Sequence, residues 1–242
     1  MPPRLFSNPS PAGRLRCVRG VLFETDNVLY DATAWRRWLL SLLGRMGVKT
    51  HYDIFFGVWE AEFLIDVHRG ACNHDAALRS YLRAVGLSSG QLDEVIAASA
   101  ARRRELDASV VPQPGVRRTI ASLHGLRLGV LSNTEETALL HRRRLARLGL
   151  ADHFDVVLTS ADLRCAMPER ACFRAALDAM RLDAPQVAFV GHSIQSLTGA
   201  AAQGMPTVSV VEHPGLTVDF RLDRLDQLMN VLRPQPEIAV LG

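Results

Sequence analysis

The chain has 242 residues, 48% hydrophobic and 22% charged, with a formal net charge of +3. That apolar share supports a packed core and excludes a mostly disordered chain. No run approaches the ~18 apolar residues of a membrane-spanning helix. Residues 1–16 contain Pro, Ser, Gly and Arg without an apolar stretch, so they read as a flexible lead-in rather than a secretory leader, and a cytoplasmic location is expected. Lys49 is the single lysine, and the arginine runs at 102–104 and 142–144 lie in helical periodicity, where they form solvated faces; nucleic acid is not an expected partner. Cys17, Cys72, Cys165 and Cys172 lack CxxC spacing and read as structural thiols.

In chain order, a short β-branched run at 18–23 predicts a first strand. Four amphipathic helices are then expected, at 33–46, 52–68, 73–85 and 89–106, with Gly47, Gly70 and Gly86 as C-terminal caps. Their aromatic residues fall at helical spacing, as a bundle core requires. Pro112-Gln113-Pro114-Gly115 closes this insert. Strands at 126–131, 155–158, 187–190 and 207–211 then alternate with helices at 134–148, 169–180 and 195–202, the pattern of a parallel sheet covered on both faces. Residues 220–232 read as a short amphipathic helix, and Pro234 onward as a tail. The expected layout is an α/β core (17–31 and 110–242) with a helical cap (32–109).

In such a sheet, ligands bind beyond the C-terminal strand ends. Those ends read Phe23-Glu24-Thr25-Asp26-Asn27-Val28-Leu29, then Ser132-Asn133, then Met167-Pro168 before a helix, then Gly191-His192-Ser193. In this order and setting, the chain resembles the haloacid dehalogenase-like (HAD) hydrolase superfamily, in the subclass whose helical cap follows the first strand. The resemblance implies a Rossmann-like core. It further implies phosphoryl transfer through a nucleophilic Asp at position 24, an Asp acid/base at 26, phosphate-binding groups at 132 and 133, a lysine at 167, and Mg²⁺ held by acids at and after 192.

The residues depart from that pattern. Glu24 keeps a carboxylate but moves its oxygens by about 1 Å, a displacement that can cost on the order of a hundredfold in rate. Met167 offers neither charge nor hydrogen bond. Arg164 and Arg170 are the cations nearest to it in sequence, and Lys49 lies between the first two cap helices. His192 is a poor Mg²⁺ ligand, and the later acid falls on Ser196 or Leu197, neither a carboxylate. No metal cofactor is therefore expected; any that bound would draw on Glu24, Asp26 and His192. A pair between His192 and Glu24 or Asp26 is expected to replace the lost cation. Asn27 suits a left-handed turn. The expectation is an impaired or inactive HAD-like protein that binds a small anion, a phosphorylated metabolite or a partner. The alternative is a working phosphatase using Glu24 and Asp26 with a rearranged cation site.

Overall fold

The computed structural model describes Leu15 and residues 17–232. The tail expected from Pro234, and the lead-in expected over 1–16 apart from Leu15, lie outside the described residues.

Strand β1 (Gly20–Phe23) sends its side chains alternately to two faces, and each face is apolar. Val21 and Phe23 join a cluster with Val130, Leu145 and Leu148, while Leu22 joins Leu131, Phe173 and Phe189 on the opposite side. A strand buried on both faces belongs in the middle of a parallel sheet. β1 accordingly pairs in parallel with β2 (Arg127–Ser132) and β4 (Val187–Gly191). With β3 (Val156–Thr159), β5 (Thr207–Ser209) and β6 (Phe220–Arg221), the order is β3-β2-β1-β4-β5-β6. The chain builds outward from β1 to β3 and then returns to β4 on the other side. The gap beyond β1 and β4 is therefore the switch point where ligands bind in sheets of this kind.

Between β1 and β2 the chain forms helices. They are α1 (Ala34–Arg45), α2, α3 (His74–Ala84), α4 (Ser89–Ser109) and α5 (Val116–Ser122). α2 runs α-helical over Tyr52–Val58, π-helical over Trp59–Leu64 and α-helical over Ile65–His68. The first four pack around Leu39, Leu43, Phe55, Phe56, Trp59, Leu78 and Tyr81, a core separate from those of the sheet. Asn73 caps α3 through its side chain, and Ser88 with Gln91 forms a capping box on α4. Gly47 and Gly86 follow α1 and α3 at φ +83° and +103°, as the cap reading of these glycines requires.

The remaining helices are α6 (Ala138–Arg147), α7 (Ser160–Leu163), α8 (Arg170–Met180), α9 (Ile194–Ala202) and α10 (Leu228–Leu232). The predicted helix over 220–232 is corrected: Phe220 and Arg221 pair with β5, a 3₁₀ turn covers Leu225–Gln227, and only the last five residues are α-helical. The short α5 has no counterpart in the predicted elements. α9 lies so close to the loop before α8 that a Cβ on Gly199 would stand 2.8 Å from both Pro168 Cβ and the Phe173 ring.

Candidate functional site

Glu24 leaves the end of β1, and its backbone N–H donates to the carbonyl of Val190, so the residue stays in register with β4. Its side chain is 7% exposed and turns toward the loop after β4. Oε2 accepts from the backbone N–H groups of His192 (2.8 Å) and Ser193 (3.2 Å). The same oxygen meets Nδ1 of His192 at 3.1 Å. Oε1 accepts from the Ser196 hydroxyl at 3.1 Å, and Ser193 Oγ donates to Ser196 Oγ at 2.7 Å. Of the two positions that sequence left open for the later acid, Ser196 faces the carboxylate and Leu197 is buried in the apolar cluster behind it.

Burial works to raise the Glu24 carboxyl. The His192 hydrogen bond and charge and the two backbone N–H groups outweigh it, holding the group below its ordinary 4.5. Burial works to lower the His192 imidazole, but the hydrogen bond and charge of Glu24, with the charge of Asp26, carry it above 6.5. The pairing expected for His192 is thus with Glu24. Asn27 sets the tautomer: its Oδ1 accepts from Ala32 N–H at 3.0 Å, which turns Nδ2 toward His192 Nε2 at 3.1 Å. Nδ1 faces Glu24 and donates to it in this tautomer and in the protonated ring, where the pair becomes ionic. Asn27 sits at φ +59°, the left-handed turn expected of it.

Thr25 is fully buried, and its hydroxyl shares a 2.8 Å hydrogen bond with the Ser132 hydroxyl, tying β1 to β2. Asn133 does not point a free amide at the cavity. Its Oδ1 accepts from Met167 N–H (2.8 Å) and its Nδ2 donates to the Met167 carbonyl (2.9 Å), so it fastens the loop before α8. The Met167 side chain is 2% exposed and packs in the core. Asp26 takes a hydrogen bond from the Tyr30 phenol; burial first, then the Asp26 charge, raises that phenol above its ordinary range.

Above these residues lies a cavity of about 430 Å³. Its floor includes Glu24, Asp26 and His192, and α2 with its C-terminal end supplies Leu64, His68 and Arg69. A second cavity of about 220 Å³ runs between core and cap, and both are lined by Asp26, Arg36 and His68. Arg164 and Arg170 line neither; the larger cavity has Arg36, paired with Glu60, and Arg69, 2.9 Å from Glu169, and the smaller has Arg36, Arg103 and Arg144. Burial lowers the His68 imidazole to about 4, so it is neutral at pH 7. These cap residues escaped the sequence reading because helical periodicity marks the buried stripe of a helix, not the edge that overhangs a cavity. A charged side chain near the C-terminus of the predicted helix at 52–68 was the only available signal.

A doubly wound parallel sheet, a helical insert after its first strand, and acidic residues at the switch point together define a capped, Rossmann-like α/β protein. The family model described as haloacid dehalogenase-like hydrolase matches residues 18–204, and the chain belongs to that family. Among curated relatives it is 27% identical over 207 residues to a phosphoglycolate phosphatase of Yersinia pseudotuberculosis, covering 81% of this chain and 82% of that one. It is 22% identical over 231 residues to a glyceraldehyde 3-phosphate phosphatase of Methanocaldococcus jannaschii, covering 89% and 97%. The L-2-haloacid dehalogenase structure from Xanthobacter autotrophicus shares the fold at a TM-score of 0.66 and 17% identity, over 90% of this chain and 100% of that one.

Proposed function

We propose that this HAD-family protein holds a small carboxylated or phosphorylated metabolite between core and cap without running phosphoryl transfer through residue 24. One observation carries the reading: both oxygens of the Glu24 carboxylate accept hydrogen bonds, Oε2 from the loop after β4 and Oε1 from Ser196 in the first turn of α9. Oε2 accepts three hydrogen bonds and Oε1 is held by Ser196, so the carboxylate is tied into a buried network that a nucleophile would have to leave in order to attack. Glu24 is a keystone of the site.

Mg²⁺ is the family's cofactor, and the donor set here does not suit it. Mg²⁺ requires several oxygens in near-octahedral array. Position 192 supplies an imidazole that already bonds Glu24 and Asn27, and position 196 a hydroxyl that donates to Glu24. Among the described residues no three His, Cys, Asp or Glu side chains converge on a possible ion. Besides Glu24, the carboxylates lining the cavity are Asp26 and Glu60, and its arginines are Arg36 and Arg69.

The test is turnover of an aryl phosphate across Mg²⁺, Mn²⁺, Co²⁺ and Zn²⁺. The native chain is expected to be silent, and the triple variant Glu24→Asp, Met167→Lys, His192→Asp to gain metal-dependent activity. Inorganic phosphate is expected to raise the melting temperature of the native chain. Metal-dependent turnover by the native chain that Glu24→Ala abolishes overturns the reading. That result would establish the second reading, a phosphatase with Glu24 as nucleophile and Asp26 as acid/base, which the names of the two curated relatives and the cavity beside Asp26 favour.

A further inference from the structure

Two of the cysteines meet. Cys165 lies in the loop between α7 and α8, and Cys172 in the first turn of α8; their Sγ atoms are 2.7 Å apart. Both are free thiols in direct contact, and a small approach would bring them to the ~2.05 Å of a disulfide. Cys172 is fully buried, while Cys165 keeps 9% of its surface. Cys17 and Cys72 are elsewhere, one exposed and one half-buried.

The loop between the two sulfurs is fixed by every part it touches. Ala166 N–H donates to Glu169 Oε1 and Glu169 N–H to the Ala166 carbonyl. Asn133 grips both backbone groups of Met167, and Arg69 of the cap reaches Glu169. Met167 and Pro168 form one wall of the larger cavity. A bond across this loop would act on the cavity wall and on the cap contact at once.

We propose that Cys165 and Cys172 are a redox pair that closes into a disulfide and locks the cavity wall formed by Met167 and Pro168. The co-reactant is a small-molecule disulfide such as oxidised glutathione. The Cys165 thiolate, the less deeply buried of the two, attacks one glutathione sulfur and releases the other as a thiolate. The Cys172 thiolate then attacks the Cys165 sulfur and releases the second glutathione. The protein gives up two electrons and two protons, and the oxidant becomes two thiols. Burial, then the neighbouring Cys165 thiol, raises the Cys172 thiol above its usual range, which fits Cys172 as the second attacker rather than the first. This inference does not depend on how the cavity's occupant is processed.

The test uses the full chain with Cys17→Ser and Cys72→Ser, equilibrated with glutathione from fully reduced to fully oxidised. The samples are quenched in acid, alkylated in denaturant and weighed intact and after trypsin. Both remaining thiols are expected to disappear together with the loss of two hydrogens, and residues 165–170 to appear joined to residues 171–174. Dithiothreitol is expected to restore both thiols. The oxidised form is expected to melt about 5 °C higher, as a short covalent loop restrains the unfolded chain. In the further variant Cys172→Ser, a glutathione adduct is expected to accumulate on Cys165. Two thiols alkylated at every ratio, an adduct on Cys165 that never resolves while Cys172 is present, or an oxidised form that melts no higher, overturns the proposal.

Discussion

Glu24 shows how one added methylene redirects a side chain. Its carboxylate reaches past the strand end to the loop after β4 and the start of α9, where two backbone N–H groups, an imidazole and the Ser196 hydroxyl satisfy it. A buried carboxylate costs several kcal/mol unless it is paired and hydrogen-bonded, so these donors are as necessary to Glu24 as it is to them. His192→Gln keeps a donor but removes the charge, and is expected to cost about 1–3 kcal/mol by urea unfolding. The cost depends on pH. The imidazole is raised above 6.5 in the folded state, so its contribution is complete below that value and fades as pH climbs through the folded one. The Glu24 carboxyl is depressed below 4.5, so its contribution is complete above that value and fades as pH falls through the folded one. The gap between native chain and variant is therefore expected to be widest between pH 4.5 and 6.5, and to narrow toward pH 9. A gap independent of pH would remove the charged pair from the account.

At the scale of elements, the strands were legible because parallel strands buried on two faces need continuous apolar runs, and those runs fell within one or two residues of β1 to β5. What was not legible has a physical pattern. β6 is two residues long and exists because β5 offers it an edge, a tertiary cause that residues 220–232 do not carry. α5 is seven residues long and holds its place through Val116 and Ile120 packed under the sheet, too short a stripe for periodicity to register. The site was readable where a motif fixes a backbone position, as at Asn27, and unreadable where function depends on direction. Nothing in the letters says that Asn133 turns to Met167 or that Glu24 turns to the loop after β4. Close packing of elements gives its own prediction. Gly199→Ala would place a methyl 2.8 Å from Pro168 Cβ and 3.0 Å from the Pro168 carbonyl, which backbone cannot easily yield. It is expected to destabilise by about 1–3 kcal/mol in urea unfolding.

Across the whole molecule, core and cap are held together by charge. Arg103 of α4 pairs with Glu135, whose other oxygen accepts from His74 N–H at the start of α3. Arg144 of α6 reaches Asp107 of α4 at 3.0 Å and Glu136 at 2.6 Å. Both glutamates follow directly on Ser132-Asn133-Thr134, so the loop that ends β2 at the cavity also fastens the cap. These groups are partly shielded from water, which gives them more weight than exposed pairs. Glu135→Ala is expected to cost about 1–2 kcal/mol and to speed amide exchange at the start of α3. Exchange confined to its native rate there would show that the apolar contacts alone hold the cap.

The π-helical turn at Trp59–Leu64 lets one helix serve two neighbours. Up to its first residue, Phe55, Phe56 and Trp59 sink into the cap's own interior; from its last residue onward, Leu64, Ile65 and His68 border the cavity. A wide turn takes up an additional residue, and each residue of an α-helix advances the azimuth by about 100°. Excising one residue there would swing His68 and Arg69 away from the chamber while leaving Phe55 and Phe56, which precede the turn, in place. The insertion acts as a vernier, setting which chemistry the lid shows to its guest without disturbing what holds the lid upright.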